Sequence, residues 1–380
     1  MTQKKIMLVF GTRPEAIKMA PLVHVLKAKP DHFELKVCVT SQHREMLDQV
    51  LKIFNIKPDI DLNLMRKDQN LLNLTSLILD EMGKVLKEYK PEIVLVHGDT
   101  TTTLAASMAA FYASIPVGHV EAGLRTYDLN TPFPEEFNRQ ITSKITKWHF
   151  APTELSKQNL LSEGINKSSI FVTGNTVIDA LHLVLKQIDK NEDLQNKLKD
   201  ILNAHLLFNW QKEKFILVTA HRRENFGDGF LQICTAIKKL SAKYPKIHFV
   251  YPVHLNPNAS KPAYEILKGI DNIHLIKPLE YEIFVYLLKH SYLVLTDSGG
   301  IQEEAPSLGK PVLVMRDVTE RPEAIEAGTV EIVGSNHQRI IEGVSHLLDD
   351  KQHYQKMSYA HNPYGDGLAC KRIVDVLFTI

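Results

Sequence analysis

Three acidic side chains in the first half of the chain stand where they could carry out proton transfer. Asp99 directly follows one short apolar run, Glu121 ends the next, and Glu135 comes shortly afterwards. A carboxylate at the end of a buried strand is costly unless it is paired or used in catalysis. The spacing predicts that these three carboxylates lie at one edge of a sheet and act as acid–base groups. The alternative for Glu121 is an ion pair with Arg125 that holds a loop.

A stretch of small residues in the second half is typical of a phosphate-binding turn. Ser298, Gly299 and Gly300 connect an apolar run directly to a helical pattern. Small residues at such a place expose backbone N–H groups at a helix N-terminus, which attract phosphate. Glu304 falls about one helical turn later, where a carboxylate could accept hydrogen bonds from ribose hydroxyls. The segment therefore predicts a nucleoside diphosphate ligand, with tight helix–sheet packing as the alternative.

Basic side chains follow the first apolar run of each half. Arg13 and Lys18 lie where the first run turns into a helix, and His221 and Arg222 follow the first run of the second half. The capping-box spacing at Thr12 explains the helix start but not the two cations, which favour an anion site near the positive end of the helix dipole. His221 stands before an Arg-Arg-Glu-Asn sequence and is predicted to belong to a polar site rather than to a core.

The elements that must position these residues are short apolar runs that alternate with helical patterns. The runs are nearly continuous, which is typical of parallel strands buried on both faces. Amphipathic segments such as Asn70–Tyr89 and Phe230–Tyr244 are predicted helices. The pattern predicts an α/β fold with two Rossmann-like, doubly wound parallel-sheet domains. The predicted strands are Ile6–Phe10, Leu35–Thr40, Ile93–His97, Val117–Glu121, His149–Pro152, Ile170–Thr173, Phe215–His221, His248–Pro252, His274–Ile276, Leu293–Asp297, Val312–Met315 and Val330–Val333.

The length of the chain requires more than one domain. Single hydrophobic cores stop growing near about 250–300 residues, and this chain has 380. We place an N-terminal Rossmann-like domain at 1–176 and a C-terminal one at 177–365, because the polar region that follows has the weakest strand pattern. The helical pattern at 366–380 is expected to return to the first domain. Two domains of this kind imply an interdomain cleft, a common place for ligands.

Composition excludes several classes of protein. The chain has 45 basic and 44 acidic residues and a formal net charge of +1, so it lacks an overall basic field for nucleic acid. Three widely spaced cysteines and the lack of an HExxH pattern argue against a disulfide scaffold and a metal site. No run is long enough for a membrane span or a signal sequence, and no GxGxxG follows the first run. We therefore expect a cytoplasmic protein without metal, nucleic-acid or membrane partners.

The polar motifs stand in a fixed order along the chain. They are Gly11-Thr12-Arg13-Pro14-Glu15-Ala16-Ile17-Lys18, His97-Gly98-Asp99-Thr100, His119-Val120-Glu121-Ala122-Gly123-Leu124-Arg125, Pro134-Glu135-Glu136, His221-Arg222-Arg223-Glu224-Asn225 and Asp297-Ser298-Gly299-Gly300-Ile301-Gln302-Glu303-Glu304. In this order they resemble the bacterial non-hydrolysing UDP-N-acetylglucosamine 2-epimerases, from about residue 5 to 375. The resemblance implies a GT-B fold, a homodimer and catalysis without a nicotinamide cofactor or a metal.

The resemblance also implies a reaction and a set of residues. UDP-N-acetylglucosamine (UDP-GlcNAc) and UDP-N-acetylmannosamine (UDP-ManNAc) are interconverted at C2, which supplies ManNAc units for bacterial surface polysaccharide. Because the C2 proton is not beside a carbonyl, the family eliminates UDP to give 2-acetamidoglucal and adds it back with the proton on the opposite face. By motif position the catalytic residues are Asp99, Glu121, Glu135 and His221. The implied substrate-binding residues are Arg13, Lys18, Arg222, Phe284, Ser298, Gly299, Gly300, Glu304 and Arg321.

Some members of the family are activated by UDP-GlcNAc bound beside the active site. The matching positions here include Gln42, Gln69 and His254, but Glu45 and Asp68 depart from the activated pattern. Two acidic residues near a diphosphate would repel it, so we expect weak or absent activation. The rival functions are a hydrolysing epimerase that releases free ManNAc and a GT-B glycosyltransferase. A non-catalytic nucleotide-sugar sensor fits less well, because the carboxylates and the histidine are all retained.

Overall fold

The computed structural model describes residues 3–41, 44–64, 66, 69–317, 319 and 321–380. The chain divides into two compact units. Unit 1 contains the described residues up to Leu183 together with Tyr364–Ile380, and unit 2 contains Val184–Pro363. Each unit is built around one parallel sheet, which confirms the predicted α/β class with two doubly wound sheets.

Unit 1 is built around a sheet of seven parallel strands. The strands are β1 (Lys4–Phe10), β2 (Phe33–Val39), β3 (Ile60–Asp61), β4 (Ile93–His97), β5 (Val117–Val120), β6 (Trp148–Ala151) and β7 (Ile170–Val172). The helices that follow them are α1 (Arg13–Lys27), α2 (Arg44–Ile53), α3 (Leu71–Tyr89), α4 (Thr101–Tyr112), α5 (Glu135–Ile145), α6 (Glu154–Ser162) and α7 (Thr176–Lys190). The order β3-β2-β1-β4-β5-β6-β7 reverses between β1 and β4. Such a switch point is where doubly wound sheets commonly bind ligands.

The apolar runs form strands because helices cover both faces of the sheet. Every residue of β4 is buried, and the run Ile6–Phe10 in β1 is at most 1% exposed. On one face, Ile78, Met82 and Leu86 of α3 pack against the sheet. These three residues are spaced one helical turn apart, as the buried stripe of an amphipathic helix requires.

Unit 2 repeats this architecture with six strands. They are β8 (Phe215–Thr219), β9 (His248–Pro252), β10 (Ile273–Ile276), β11 (Leu293–Thr296), β12 (Val312–Val314) and β13 (Val330–Ile332). The helices are α8 (Glu192–His205), α9 (Asp228–Lys243), α10 (Pro257–Leu267), α11 (Tyr281–His290), α12 (Gly299–Glu304), α13 (Pro322–Glu326), α14 (His337–Asp349) and α15 (Lys351–Ser358). In the order β10-β9-β8-β11-β12-β13 the switch point lies between β8 and β11.

The last helix, α16 (Ala369–Thr379), belongs to unit 1 although it follows unit 2 in the sequence. It packs against α1, and its Leu377 is fully buried. The Asp179 carboxylate accepts hydrogen bonds from the backbone N–H groups of Ala369 and Cys370 at 3.1 and 2.9 Å. It thereby satisfies donors that the helix itself leaves unpaired at its start.

The two units divide later than the boundary placed at 176/177. α7 is one unbroken helix, and the division falls inside it, after Leu183. The buried face of α7 continues across that point through Leu181, Val184 and Ile188. The sequence therefore offers no polar break at which this division could have been recognised.

Most predicted strands differ from the structure by one or two residues at an end, as Phe215–His221 does, which ends at Thr219. Two differences bear on the site and on the sheet. β3 was not predicted, because two residues are too few to show a pattern. β5 ends at Val120 rather than at Glu121, because Glu121 leaves the strand with a φ of +65°. Within the described ranges, no helix combines the length and the hydropathy of a membrane span.

Candidate functional site

A buried glutamate, Glu15, ties together the two loops at the switch point of unit 1. Its Oε2 accepts hydrogen bonds from the backbone N–H groups of Gly11 and Thr12 at 3.1 and 2.8 Å. Its Oε1 accepts one from the Thr100 hydroxyl at 2.7 Å. Thr100 in turn accepts from the N–H of Thr103 and caps α4. The loop that leads into α1 and the loop that carries the first candidate carboxylate are therefore held in one arrangement.

Glu121 is held at the end of β5 by two basic side chains. Its Oε2 contacts the Lys18 ammonium of α1 and lies 2.9 Å from Nε2 of His97, the last residue of β4. The left-handed φ of +65° costs a non-glycine residue about 1–3 kcal/mol. Burial by itself raises the pKa of Glu121, but Lys18 and His97 outweigh burial and hold that pKa well below its usual range. Glu121 is therefore an anion at neutral pH.

The surroundings of Asp99 disfavour its ionised form, whereas those of Glu121 favour the anion. It lies between β4 and α4 with its side chain 28% exposed, and its Oδ2 is 3.1 Å from Nη1 of Arg139 on α5. Burial, opposed by Arg139 and reinforced by the nearby carboxylates of Glu121 and Glu135, raises the pKa of Asp99 to about 6. The three predicted carboxylates thus lie close enough to influence one another, and the pKa values of Glu121 and Asp99 are shifted in opposite directions.

Glu135 and its neighbour Glu136 have different surroundings at the start of α5. Glu136 is fully buried and accepts hydrogen bonds from the N–H groups of Thr126 and Tyr127, each at 3.0 Å. It also accepts one from Nε of Arg139 at 2.6 Å. Glu135 is partly exposed, and no hydrogen bond or ion pair joins its side chain to another described residue. Glu136 therefore fixes the loop and the arginine, whereas the side chain of Glu135 is partly open to solvent.

The alternative role of Glu121 as an ion-pair partner of Arg125 is wrong. The Nε and Nη2 atoms of Arg125 bind the carboxylate of Glu163 at 2.5 and 2.9 Å. Nη2 also donates to the Ser143 hydroxyl at 2.9 Å. Glu163 lies beyond α6, too far along the sequence for a local pattern to reveal the pairing. The cation that neutralises Glu121 is instead Lys18.

In unit 2 the buried carboxylate of Asp297 organises the switch point. It accepts hydrogen bonds from the backbone N–H groups of His221 and Arg222 at 2.9 and 2.8 Å, and from the Asn225 amide at 3.2 Å. Its Oδ1 lies 3.5 Å from Nδ1 of the His221 ring. Burial lowers the pKa of His221, although the charge of Asp297 opposes this. His221 and Arg222 are thereby placed at the carboxyl end of β8, as predicted.

The Ser-Gly-Gly segment packs against a buried ion pair. Nε of Arg321 lies 2.6 Å from Oε1 of Glu303, and both residues are buried. A Cβ on Gly299 would lie 2.5 Å from Nη1 of Arg321, whereas a Cβ on Gly300 would meet only one atom, at 3.9 Å. The close approach of the Arg321 guanidinium therefore explains Gly299, but it does not require a glycine at Gly300.

The polar groups on either side of the glycines also have defined partners. The backbone N–H of Ser298 donates to the Thr296 hydroxyl at 2.9 Å, so this N–H is not directed at a ligand. Glu304 is 6% exposed and accepts a hydrogen bond from Oη of Tyr281 at 2.6 Å. Because the phenol is bound to one oxygen of this carboxylate, the carboxylate cannot turn freely, and its other oxygen can accept hydrogen bonds only from a limited range of directions. Phe284 is partly exposed on the same helix as Tyr281.

The residues predicted for allosteric binding are only partly described. Gln69 is partly exposed just before α3. His254 is exposed, and its ring is stacked against that of His221 with centroids 5.6 Å apart. Gln42 and Asp68 lie outside the described residues. The expectation of weak activation therefore stays a prediction.

The side chains that hold the candidate groups were not singled out from the sequence. They are Glu15, His97, Arg139, Tyr281, Asp297 and Glu303. His97 and Asp297 carried a usable signal, because each is a polar residue at the end of an apolar run, as Glu121 is. Arg139 carried none, because its partner Asp99 is distant in the sequence. Among the described residues, no group of three or more side chains is arranged to hold a metal ion.

Comparison with known proteins finds relatives over the whole chain. The family described as UDP-N-acetylglucosamine 2-epimerase matches residues 24–378. The UDP-N-acetylglucosamine 2-epimerase of Escherichia coli (strain K12) is 60% identical over 373 residues, which cover 98% of this chain and 98% of that protein.

Solved structures give the same result. The UDP-GlcNAc 2-epimerase from Neisseria meningitidis, bound to UDP-GlcNAc, matches with a TM-score of 0.92 and 54% identity, over 99% of this chain and 100% of that one. A glycosyltransferase from Rickettsia africae matches with a TM-score of 0.62 and 14% identity, over 99% of this chain and 98% of that one. At that identity the second likeness shows the fold alone, which is the GT-B type.

Proposed function

Because the chain belongs to the UDP-N-acetylglucosamine 2-epimerase family and is therefore an isomerase, we propose that it interconverts UDP-GlcNAc and UDP-ManNAc by eliminating UDP and adding it back. The observation that carries this mechanism is the different surroundings of two neighbouring carboxyl groups: Lys18 and His97 contact Oε2 of Glu121, whereas Asp99 is contacted by Arg139 at 3.1 Å. The pKa of Glu121 is accordingly lowered and that of Asp99 raised. Inversion at C2 needs one group that accepts a proton and another that donates one.

In the proposed reaction Glu121 removes the C2 proton while UDP leaves C1, and 2-acetamidoglucal is formed. Asp99 then delivers a proton to the opposite face of C2 while UDP adds back to C1. Oε1 of Glu121 is the proposed acceptor, since Lys18 and His97 both contact Oε2. After one cycle Glu121 has gained a proton and Asp99 has lost one, so both must exchange with solvent. Glu135, which is partly exposed, is the proposed group for that exchange.

Unit 2 is proposed to bind the UDP part of the substrate. The Ser298 hydroxyl and the Gly300 N–H would receive the diphosphate, Glu304 the ribose hydroxyls, and Phe284 the uracil ring. His221 would donate a hydrogen bond to the pyrophosphate. Burial keeps the pKa of His221 low, and a bound anion would raise it, so UDP binding would draw a proton onto His221 and stabilise the departing charge.

Proton NMR of UDP-GlcNAc with the protein in D2O, without added NAD, tests the proposed function. We expect UDP-ManNAc to form and deuterium to enter at C2, because the proton removed exchanges with solvent before one is returned. If neither appears, the proposal is wrong. Accumulation of free ManNAc would indicate the hydrolysing reaction. Transfer of the sugar without deuterium at C2 would indicate a glycosyltransferase.

The replacement Glu121→Gln isolates the proposed base. The amide has the size of the carboxylate but cannot accept the proton, so we expect kcat to fall at least about 100-fold. The Kd for UDP should change by less than about threefold, since the proposed UDP ligands lie in unit 2. Calorimetric titration with UDP gives the Kd. A loss of UDP binding would instead assign Glu121 a structural role.

Three finer expectations belong to the same proposal. They are the supply of ManNAc units for surface polysaccharide, the homodimer and the cytoplasmic location.

Weak or absent activation by UDP-GlcNAc is a separate expectation. Hyperbolic kinetics with UDP-ManNAc would agree with weak activation, whereas sigmoidal kinetics abolished by added UDP-GlcNAc would contradict it. These expectations stay predictions.

A further inference from the structure

His97 is a polar residue in an apolar place. It ends β4, in which all the preceding residues are buried and apolar. Its side chain is 4% exposed, and both ring nitrogens, Nδ1 and Nε2, are buried without a well-aligned hydrogen-bond partner in the described ranges. A valine or leucine would avoid the cost of burying these nitrogens. The compensating contact is the approach of Nε2 to within 2.9 Å of Oε2 of Glu121.

This contact distinguishes the two oxygens of the Glu121 carboxylate. His97 from β4 and Lys18 from α1 both reach Oε2. Among the described residues, no hydrogen bond or ion pair reaches Oε1. Two donors from different elements fix the position of one oxygen, and the planar carboxylate then leaves only a narrow range of directions for the other.

We propose that His97 is a positioning residue for the proposed reaction, whose Nε2, 2.9 Å from Oε2 of Glu121, holds that oxygen in place and so directs Oε1 at the C2 proton. The inference rests on the proposed function, in which Glu121 is the base. The ring approaches one oxygen of the base and leaves the other to the substrate. His97 therefore acts on the orientation of Glu121 and is not itself assigned a proton-transfer step.

The charged groups that face Glu121 come from α1, from β4 and from the loop after β4. They are Lys18 on α1, His97 on β4 and Asp99 in the loop after β4. Burial raises the pKa of Glu121, and Lys18 and His97 together lower it. Loss of the His97 donor would leave Lys18 to oppose burial, so the pKa of Glu121 would rise.

Three variants separate this role from a purely structural one. His97→Leu removes the donor, and His97→Gln places an amide N–H near the position of Nε2. His149→Leu is the matched control, because His149 is 1% exposed on β6 and its Nε2 lies 3.0 Å from the Ser143 carbonyl rather than against Glu121. The measurements are kcat and KM for epimerisation between about pH 3.5 and 9, which includes the range in which Glu121 becomes protonated, and the melting temperature.

We expect His97→Leu to lower kcat by about 10- to 100-fold, to change KM by less than about threefold, and to move the acidic limb of the kcat profile to higher pH. His97→Gln should restore most of kcat and return the limb toward that of the parent protein. His149→Leu should lower the melting temperature without moving the limb. An unmoved limb in His97→Leu, or equal losses of kcat in the Leu and Gln variants, overturns the proposal.

Carbon-13 NMR of glutamate carboxyl groups gives a second result that needs no activity. Glu121 is assigned by the signal lost in Glu121→Gln, and its titration is compared between the parent protein and His97→Leu. We expect Glu121 to titrate at higher pH in His97→Leu, and equal titration overturns the proposal. If the parent protein itself incorporates no deuterium at C2, the proposed function fails, and with it the catalytic meaning of the contact. A shifted titration would still confirm that His97 acts on the Glu121 carboxylate.

Discussion

At the scale of single residues, the surroundings of each carboxylate decide what it can do. Glu121 lies against Lys18 and His97, which stabilise its anion despite burial. Burial and the neighbouring acidic side chains disfavour the ionised form of Asp99, and the charge of Arg139 offsets this effect only in part. One site thus contains two carboxyl groups that differ in protonation near pH 6, as acid–base pairs in enzymes commonly do.

The raised pKa of Asp99 makes its ionised form a source of instability. The pKa rises from the usual 3.8 to about 6 in the folded protein, so the folded state binds this proton more tightly and loses that stabilisation as pH rises from about 4 to 6. We expect Asp99→Asn to increase the free energy of unfolding at pH 8 by about 1–2 kcal/mol, after allowance for partial exposure. Near pH 4 the increase should be much smaller. Urea denaturation at both pH values measures this, and equal effects would contradict it.

At the scale of elements, a buried ion pair leaves no room for a larger side chain at the first residue of α12. A Cβ on Gly299 would lie 2.5 Å from Nη1 of Arg321, and the buried guanidinium cannot move without leaving Glu303. We expect Gly299→Ala to lower the free energy of unfolding by about 1–3 kcal/mol. Gly300→Ala is the control and should change it by less than about 1 kcal/mol, because space is available and alanine favours the helix. Urea denaturation measures the free energy of unfolding of both variants. Similar losses of stability in the two would show that the ion pair can move aside at little cost.

The elements could be predicted from the sequence because their patterns are local. β4 and β9 have the predicted bounds, since continuous apolar runs are distinctive. The side-chain contacts could not be predicted, because they join distant positions. Arg139 meets Asp99 only after α5 packs beside α4, and the partner of Arg125 is Glu163 rather than the nearer Glu121. The sequence therefore shows which residue types form the candidate site, but it does not show which side chains hold them in place.

At the scale of the whole chain, unit 1 is completed by a helix, α16, whose residues follow unit 2 in the sequence. We expect Leu377→Ala, a change at a fully buried position of α16, to lower the stability of unit 1 by about 2–5 kcal/mol. Hydrogen exchange should then become faster in α1, β1 and β2, whereas β8 and β11 of unit 2 keep their protection. Thr379→Ala, an exposed position on the same helix, is the control. Equal loss of protection in both units would contradict this expectation.

The return of the chain to unit 1 also sets an order of events during synthesis. All of Val184–Pro363 leaves the ribosome before α16 does. Unit 2 thus has its full sequence available while unit 1 still lacks the helix that packs on α1. The nascent first half must keep that apolar surface uncovered throughout translation of the second. Incomplete folding units of this kind are the ones that aggregate or engage chaperones, so α1 marks the surface at which a chaperone would be needed.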